Sequence, residues 1–168
     1  PPRSTLFPYT TLFRSLDTAF LGFGQIDREG NVNVSKLAGV TVGPGGFIDI
    51  AQNARNVVFC GTFDTKGTEI KTGHGKLELI KAGKVCKFVE AVDQITFSGK
   101  QALVQGQEVL YVTERAVFSL SKGGLELVEI APGVEMERDV IDQMEFKPLI
   151  SESIGTMNPK FFIDEEHA

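Results

Sequence analysis

Residues 43–63 read GPGGFIDIAQNARNVVFCGTF, and three different patterns follow one another there without a break. Gly43-Pro44-Gly45-Gly46 is a loop in which glycines supply backbone conformations closed to other residues. Phe47, Ile50, Ala51 and Ala54 then recur at i, i+3, i+4 and i+7, one face of a short helix. From Asn56 to Phe63 the run is continuously apolar, which predicts a strand covered on both faces. Upstream, Leu16 to Asp27 forms another apolar run, Asp27 to Asn31 a turn, and Val32 to Val34 a short strand. The order strand, loop, helix, strand predicts an α/β architecture.

The second half reads mainly as β. Lys76 to Ile80 and Gln94 to Phe97 are expected as short strands. Val109 to Leu120 is expected as one long strand, pairing with Leu125 to Ile130 across the turn Ser121 to Gly124. Ala131-Pro132-Gly133 stops the latter. Val140, Ile141 and Met144 make a turn or two of amphipathic helix before Pro148, and the tail after Ile150 is expected to be irregular and solvent-facing.

Composition excludes several classes. The 168 residues suit one domain or a piece of a larger one, with 42% hydrophobic and 23% charged residues spread without runs. A formal charge of −5 and the lack of a basic stripe argue against nucleic acid as partner. No apolar run approaches the roughly 18 residues that would suggest a membrane span. Cys60 and Cys86 match no metal or redox spacing and fit reduced thiols in a cytosolic core.

Pro1 to Ser15 differs from the rest. PPRSTLFPYTTLFRS has no acidic residue, no period and a near-repeat, and it resembles translated sequencing-adaptor read-through. It is taken as a non-native tail, leaving 16–168 as the folded part. Without its two arginines, 15 of the 17 basic residues face 22 acidic ones, a net −7.

Among candidate sites the loop Gly43 to Gly46 stands first. Amides ahead of a helix can receive an oxyanion or phosphate, although a tight connection needs the same glycines and Asp49 in the first turn would repel an anion. Gly22-Phe23-Gly24 lacks the third glycine of a dinucleotide fingerprint. In Gly61 to Thr68 the lysine precedes its glycine, contrary to a phosphate loop, so this stretch and Asp64 to Thr68 are expected to be surface turns. Glu114 falls on the apolar face of its expected strand and must be paired, hydrogen-bonded or protonated; an ion pair with a neighbouring Arg or Lys is the commoner solution. His74, in a Gly-flanked turn, and His167, in the tail, have no partners at ligand spacing, so no metal site is expected. No Ser-His-Asp or Cys-His constellation can be assembled, and no catalytic residue is assigned.

The ordered set of motifs carries more than any one of them. LDTAFLG (16–22), GNVNVS (30–35), the run 43–63, KFVEAVDQITFSG (87–99), GQEVLYVTERAVFSL (106–120) and GLELVEIAPG (124–133) together resemble the C-terminal part of the β-half of family I CoA-transferases. The similarity is greatest to the fused type acting on acetate, propionate and other short acyl groups. The resemblance implies a CoA-transferase-like (NagB/RpiA-like) open sheet, incomplete here, with a β-rich C-terminal half. It implies acyl-CoA and short carboxylic acids as substrates, coenzyme A as a substrate with no further cofactor, a cytoplasmic location and a homo-oligomeric parent. Chemistry in the family passes through a glutamyl-CoA thioester, a case of nucleophilic catalysis by a carboxylate. The family's glutamate lies in a motif upstream of Leu16, and no glutamate of this chain, Glu114 included, matches it. The α-half is likewise not matched, so the chain alone is expected to be inactive. Gly43, Gly45 and Gly46 match the family's G-x-G-G loop against the thioester end of CoA. A non-catalytic CoA-binding module and a sugar-phosphate isomerase-like protein are the alternative readings.

Overall fold

The computed structural model describes residues 16–163; the tail expected over Pro1–Ser15 and His167 lie outside them. Among the described residues, six strands form one sheet in chain order: β1 (Thr18–Gly22), β2 (Asn56–Cys60), β3 (Glu108–Val112), β4 (Ala116–Ser121), β5 (Gly124–Ile130) and β6 (Leu149–Thr156). β1, β2 and β3 are parallel, β4 is antiparallel to both its neighbours, and β6 is parallel to β5. Four two-stranded ladders of 2–6 residues per strand decorate the connections. The expected α/β open sheet with a β-rich second half is the observed one.

Two helices make the parallel crossovers. α1 (Phe47–Asn53) buries Phe47 and Ala51, and its chain turns extended at Ala54, as the apolar period predicts. α2 (Gly99–Gln105) begins at Ser98, whose hydroxyl accepts the N–H of Gln101, and ends at Gly106 in the left-handed region, φ 70°. Right-handed crossovers that step always the same way across a sheet put their connections on one face. The packing agrees. Phe47 stacks on Phe59 of β2 (5.8 Å between ring centres), Phe59 meets Tyr111 of β3 (5.5 Å), and Phe88 joins Phe63 (4.6 Å) to Phe118 of β4 (5.0 Å). Ala102 of α2 and Val140 and Phe146 from the β5–β6 connection enter the same core.

The opposite face is left open. Phe20, Val58, Leu110 and Ser119 form one cross-strand row, and Gly22, Cys60, Val112 and Val117 the next. Phe20 is 72% exposed and Leu110 39%, while Val58 is half-buried and Cys60 exposed. The run Asn56 to Phe63 is therefore covered on one face only, contrary to expectation: in this chain every crossover connection packs on the same side. Cys60 and Cys86 are likewise not core thiols; they are exposed and half-buried respectively.

Three further expectations fail for identifiable reasons. Val109 to Leu120 is two strands, because Thr113 folds the chain back on itself. The Thr113 hydroxyl donates to the Ala116 carbonyl (2.7 Å) and accepts the Ala116 N–H (3.0 Å), a turn without glycine or proline. The turn also switches the inward parity from Val109 and Tyr111 to Ala116 and Phe118, so Leu110 and Val112 are not on the core face. Gln94 to Phe97 is not a strand; it makes one isolated bridge, Phe97 to Val32, before α2. The tail after Ile150 is ordered: β6 lies along β5, and Met157 and Phe162 are buried beyond it.

The one-sided core gives a direct test. Phe59→Ala should cost about 3–5 kcal/mol, as aromatic truncation in a packed core does. Phe20→Ser on the open face should change stability by less than about 0.5 kcal/mol. Urea unfolding of the two variants would show equal losses if the open face were in fact packed.

Candidate functional site

β1, β2, β3 and β5 point the same way, so Gly22, Cys60, Val112 and Ile130 end at one edge of the sheet. Open α/β sheets bind ligands outside the carboxyl ends of their strands. The connections that leave this edge are the glycine loop before α1, the 61–68 loop, the β3–β4 turn and the β5–β6 connection.

The glycine loop is open. Gly43 has φ 81° and Gly45 φ 54°, conformations that favour glycine, and a Cβ at either position would meet nothing within 4 Å. Gly46 sits at φ −81° as the residue before α1. The carbonyl of Ser35 accepts the N–H of Val42 (2.8 Å) and of Gly43 (3.3 Å), and the Phe47 N–H turns back to Pro44 (3.1 Å). Pro44 has no N–H, and those of Gly45 and Gly46 donate no hydrogen bond among the described residues. The three glycines chosen from sequence thus lie together, with two adjacent donors free. Asp49 is in the first turn of α1, as expected.

Beside the carboxyl ends of β1 and β2, the Lys87 ammonium donates to Thr62 Oγ1 (2.9 Å) and lies 5.2 Å from the centre of the Phe23 ring. Burial lowers its pKa, against the opposing pull of Glu114 and Asp64. Gly61 must be glycine here, since a Cβ would press on the Phe23 ring at 2.8 Å.

Arg115 closes the same edge from below. Its guanidinium is fully buried; Nη2 donates to Asp64 Oδ2 (3.0 Å), Nε to Glu114 Oε1 (3.0 Å) and Nη1 to the Asp139 carbonyl (3.2 Å). It also lies over the Phe63 ring at 4.5 Å. Glu114 therefore has its expected arginine partner, and its second oxygen accepts the Phe63 N–H at 2.8 Å. This carboxylate is committed to structure. Asp64, expected in a surface turn, is buried as the arginine's other counter-ion. Gly22-Phe23-Gly24 leads to the ladder Gln25–Ile26 with Val32–Asn33, and no helix follows it. His74 lies in a hairpin turn at φ 51°, in a groove of about 590 Å³ that includes none of the three glycines.

No family profile matches the chain. It is 45% identical over 149 residues to acetate CoA-transferase YdiF of Escherichia coli O157:H7, covering 89% of this chain and 28% of the relative. It is 45% identical over 155 residues to the caffeate CoA-transferase of Acetobacterium woodii, with 89% and 29% covered. Crystal structures of YdiF superpose on it with TM-scores of 0.89 for the apoenzyme and 0.86 for a thioester complex with CoA. Those matches have 43% and 45% identity and cover 92% and 89% of this chain, 30% and 29% of that one.

In sequence and fold the chain corresponds to a stretch of the CoA-transferases.

It spans less than a third of the curated relatives it matches. Within this stretch the sequence singled out the glycine loop as a candidate and gave no sign of the residues that lie beside it. Lys87 and Thr62 gave no signal, because a lone lysine 25 positions from a lone threonine is ordinary surface composition. The role of Arg115 was legible only as a partner for Glu114. Among the described residues no helix is long and apolar enough to cross a membrane.

Two outcomes test the electrostatics of this edge. Arg115→Met strands the buried Asp64 carboxylate and should cost about 3–5 kcal/mol, read by urea unfolding at neutral pH. At the far corner, a hydrogen bond from Arg138 holds the Asp139 carboxyl below its ordinary range, assisted by the Glu135 N–H against the opposing effect of burial. A carboxyl whose folded pKa is depressed stabilises the fold fully above its unfolded value, and the contribution is lost as pH falls through the folded one. Asp139→Asn should therefore flatten the stability–pH curve below about pH 4; an acid limb as steep as wild type would contradict this.

Proposed function

We propose that this chain supplies the glycine-loop wall of the acyl-CoA site in a short-chain acyl-CoA:carboxylate CoA-transferase. The observation that supports it best is the pair of free amides at Gly45 and Gly46, open to solvent at the carboxyl edge. The name of the acetate CoA-transferase relative and the CoA thioester seen in the YdiF structure point to the same ligand class.

The chemistry follows from what those donors can do. A glutamate carboxylate attacks the thioester carbonyl, and the oxygen that gains charge needs donors already in place. In this reading the N–H groups of Gly45 and Gly46 receive it. Collapse expels CoA thiolate and leaves a mixed anhydride. The thiolate then attacks the glutamyl carbonyl, releasing the first acid and forming the glutamyl-CoA thioester. The acceptor carboxylate, acetate or propionate in this reading, repeats the sequence in reverse. Glu114 is held by Arg115 and the Phe63 N–H, and the resemblance to the family implies that the nucleophilic glutamate lies in a motif upstream of Leu16. The open sheet face around Phe20 and Leu110 fits the same division, as a surface against which further segments pack. We place the protein in the cytoplasm, as a homo-oligomer in its full form.

Calorimetric titration of the chain with acetyl-CoA tests the wall. Gly46 is the informative position: its φ is ordinary and an added Cβ meets only Ile50 at 3.8 Å, so the fold tolerates a side chain there. Gly46→Val should weaken acetyl-CoA binding at least about tenfold, by about 1.4 kcal/mol or more, with an unchanged unfolding midpoint. Unaltered affinity would remove the loop from the site. The chain alone should exchange no CoA between acetyl-CoA and propionate, and turnover above background would overturn the assignment of the nucleophile elsewhere.

A further inference from the structure

The glycine loop is the end of a longer exposed excursion. From Leu37 to Val42 every residue is exposed, including the apolar Leu37, Val40 and Val42 of a small hairpin. Such a segment would sample many positions unless something fixes its base. Two hydrogen bonds do so, and both end on the carbonyl of Ser35, from the N–H groups of Val42 and Gly43. Gly45 and Gly46 follow within three residues, so the placement of their free donors depends on where this carbonyl stands.

The Ser35 carbonyl is held from below by buried polar groups. Ser35 and Thr96 are both buried, and their hydroxyls lie 2.8 Å apart. Thr96 Oγ1 also accepts the Val34 N–H (3.2 Å), while the Thr96 N–H is tied to the Val32 carbonyl (2.9 Å). From the other side Asn33 Oδ1 accepts the N–H groups of Ser35 (3.0 Å) and Lys36 (3.1 Å). Asn33 is itself fully buried and donates to Gln25 Oε1 (2.6 Å). Buried polar side chains are costly unless their bonds are complete, and a complete network has few alternative arrangements. The network also satisfies the N–H groups of Val34, Ser35, Lys36 and Asp93, beside an apolar core that includes Ile26, Val32 and Phe97.

We propose that Ser35 and Thr96 form a polar pedestal that sets the position of the glycine-loop amides, making them positioning residues for the carbonyl oxygen of a thioester ligand. This rests on the acyl-CoA reading of the loop. Thr96→Val keeps the shape of the side chain and removes the hydroxyl that anchors Ser35 and Val34.

The test is run on the 168-residue chain with two readouts. Amide exchange at Val42 and Gly43, followed by NMR, reports the pedestal; titration with acetyl-CoA reports the ligand. Thr96→Val should speed exchange at those two amides by about five- to tenfold and weaken acetyl-CoA binding by a similar factor, the scale of one lost hydrogen bond. Thr96→Ser, which keeps the hydroxyl, should restore both. Phe162→Leu, a core change away from the loop, should lower global stability and leave both untouched. Unchanged exchange at Val42 and Gly43 in Thr96→Val overturns the pedestal. Exchange that responds in a chain to which acetyl-CoA does not bind supports the pedestal and sinks the ligand reading instead. Should Thr96→Val fail to fold, Ser35→Ala carries the same comparison, since it removes only the other hydroxyl and keeps the carbonyl.

Discussion

The buried guanidinium of Arg115 is the constraint around which the carboxyl edge of the sheet is arranged. Burying a charge is expensive, and the cost is offset only when each donor finds an acceptor. Arg115 finds them in three separate connections: Asp64 after β2, Glu114 in the β3–β4 turn, and the Asp139 carbonyl in the β5–β6 connection. Each connection therefore has one position in which the charge is satisfied. Glu114 extends the arrangement by accepting the Phe63 N–H, and Asp64 by accepting the Thr68 hydroxyl. The edge where open α/β sheets bind their ligands is in this way held rigid from inside.

The same edge separates what holds the site from what is free to act at it. Arg115, Asp64 and Glu114 are bonded to one another and to neighbouring backbone and hydroxyl groups. Among the described residues Lys87 has the Thr62 hydroxyl as its hydrogen-bond acceptor, and the Gly45 and Gly46 amides have none. Charge and polarity at a sheet edge thus say little by themselves. What distinguishes a candidate site is the donor whose partner is missing after the structural bonds are counted. The groove along the hairpin Glu69–Gly73 with Lys76–Lys81 differs in kind: its donors are long exposed side chains, with Arg138 paired to Glu135 and Asp139, whereas those of the glycine loop are backbone amides.

How much of this could be read in advance depended on whether a local pattern had a single structural meaning. Phe47, Ile50, Ala51 and Ala54 allow little but a helix on a core, and Gly43 to Gly46 little but an exposed loop; both were legible. The alternation from Leu110 to Leu120 allowed two readings. A period of two continues smoothly through a Thr-based turn, and only the three-dimensional pairing shows that Val112 faces Val117 in a hairpin. The helix Gly99–Gln105 had its signals, Ser98 three residues before Gln101 and Gly106 at its end, but the β-branched stretch before it dominated the reading. Burial on one or both faces was not legible at all. An apolar run records that a strand lies in a sheet, whereas coverage depends on which way the crossovers step.

That last point bears on function as well as fold. Because β1, β2 and β3 are laid down in one direction, α1 and α2 fall on the same side, and Phe20 and Leu110 on the other side stay exposed among the described residues. A doubly wound sheet covers its second face by stepping the other way from its first strand, and the ligand crevice forms where the direction reverses. Among the described residues the sheet shows no such reversal, and β1 is its outermost strand. The glycine loop, reached from β1 through the 25–42 excursion, opens at the carboxyl end next to that edge. The position of the free amides and the bareness of the second face are therefore two consequences of one strand order.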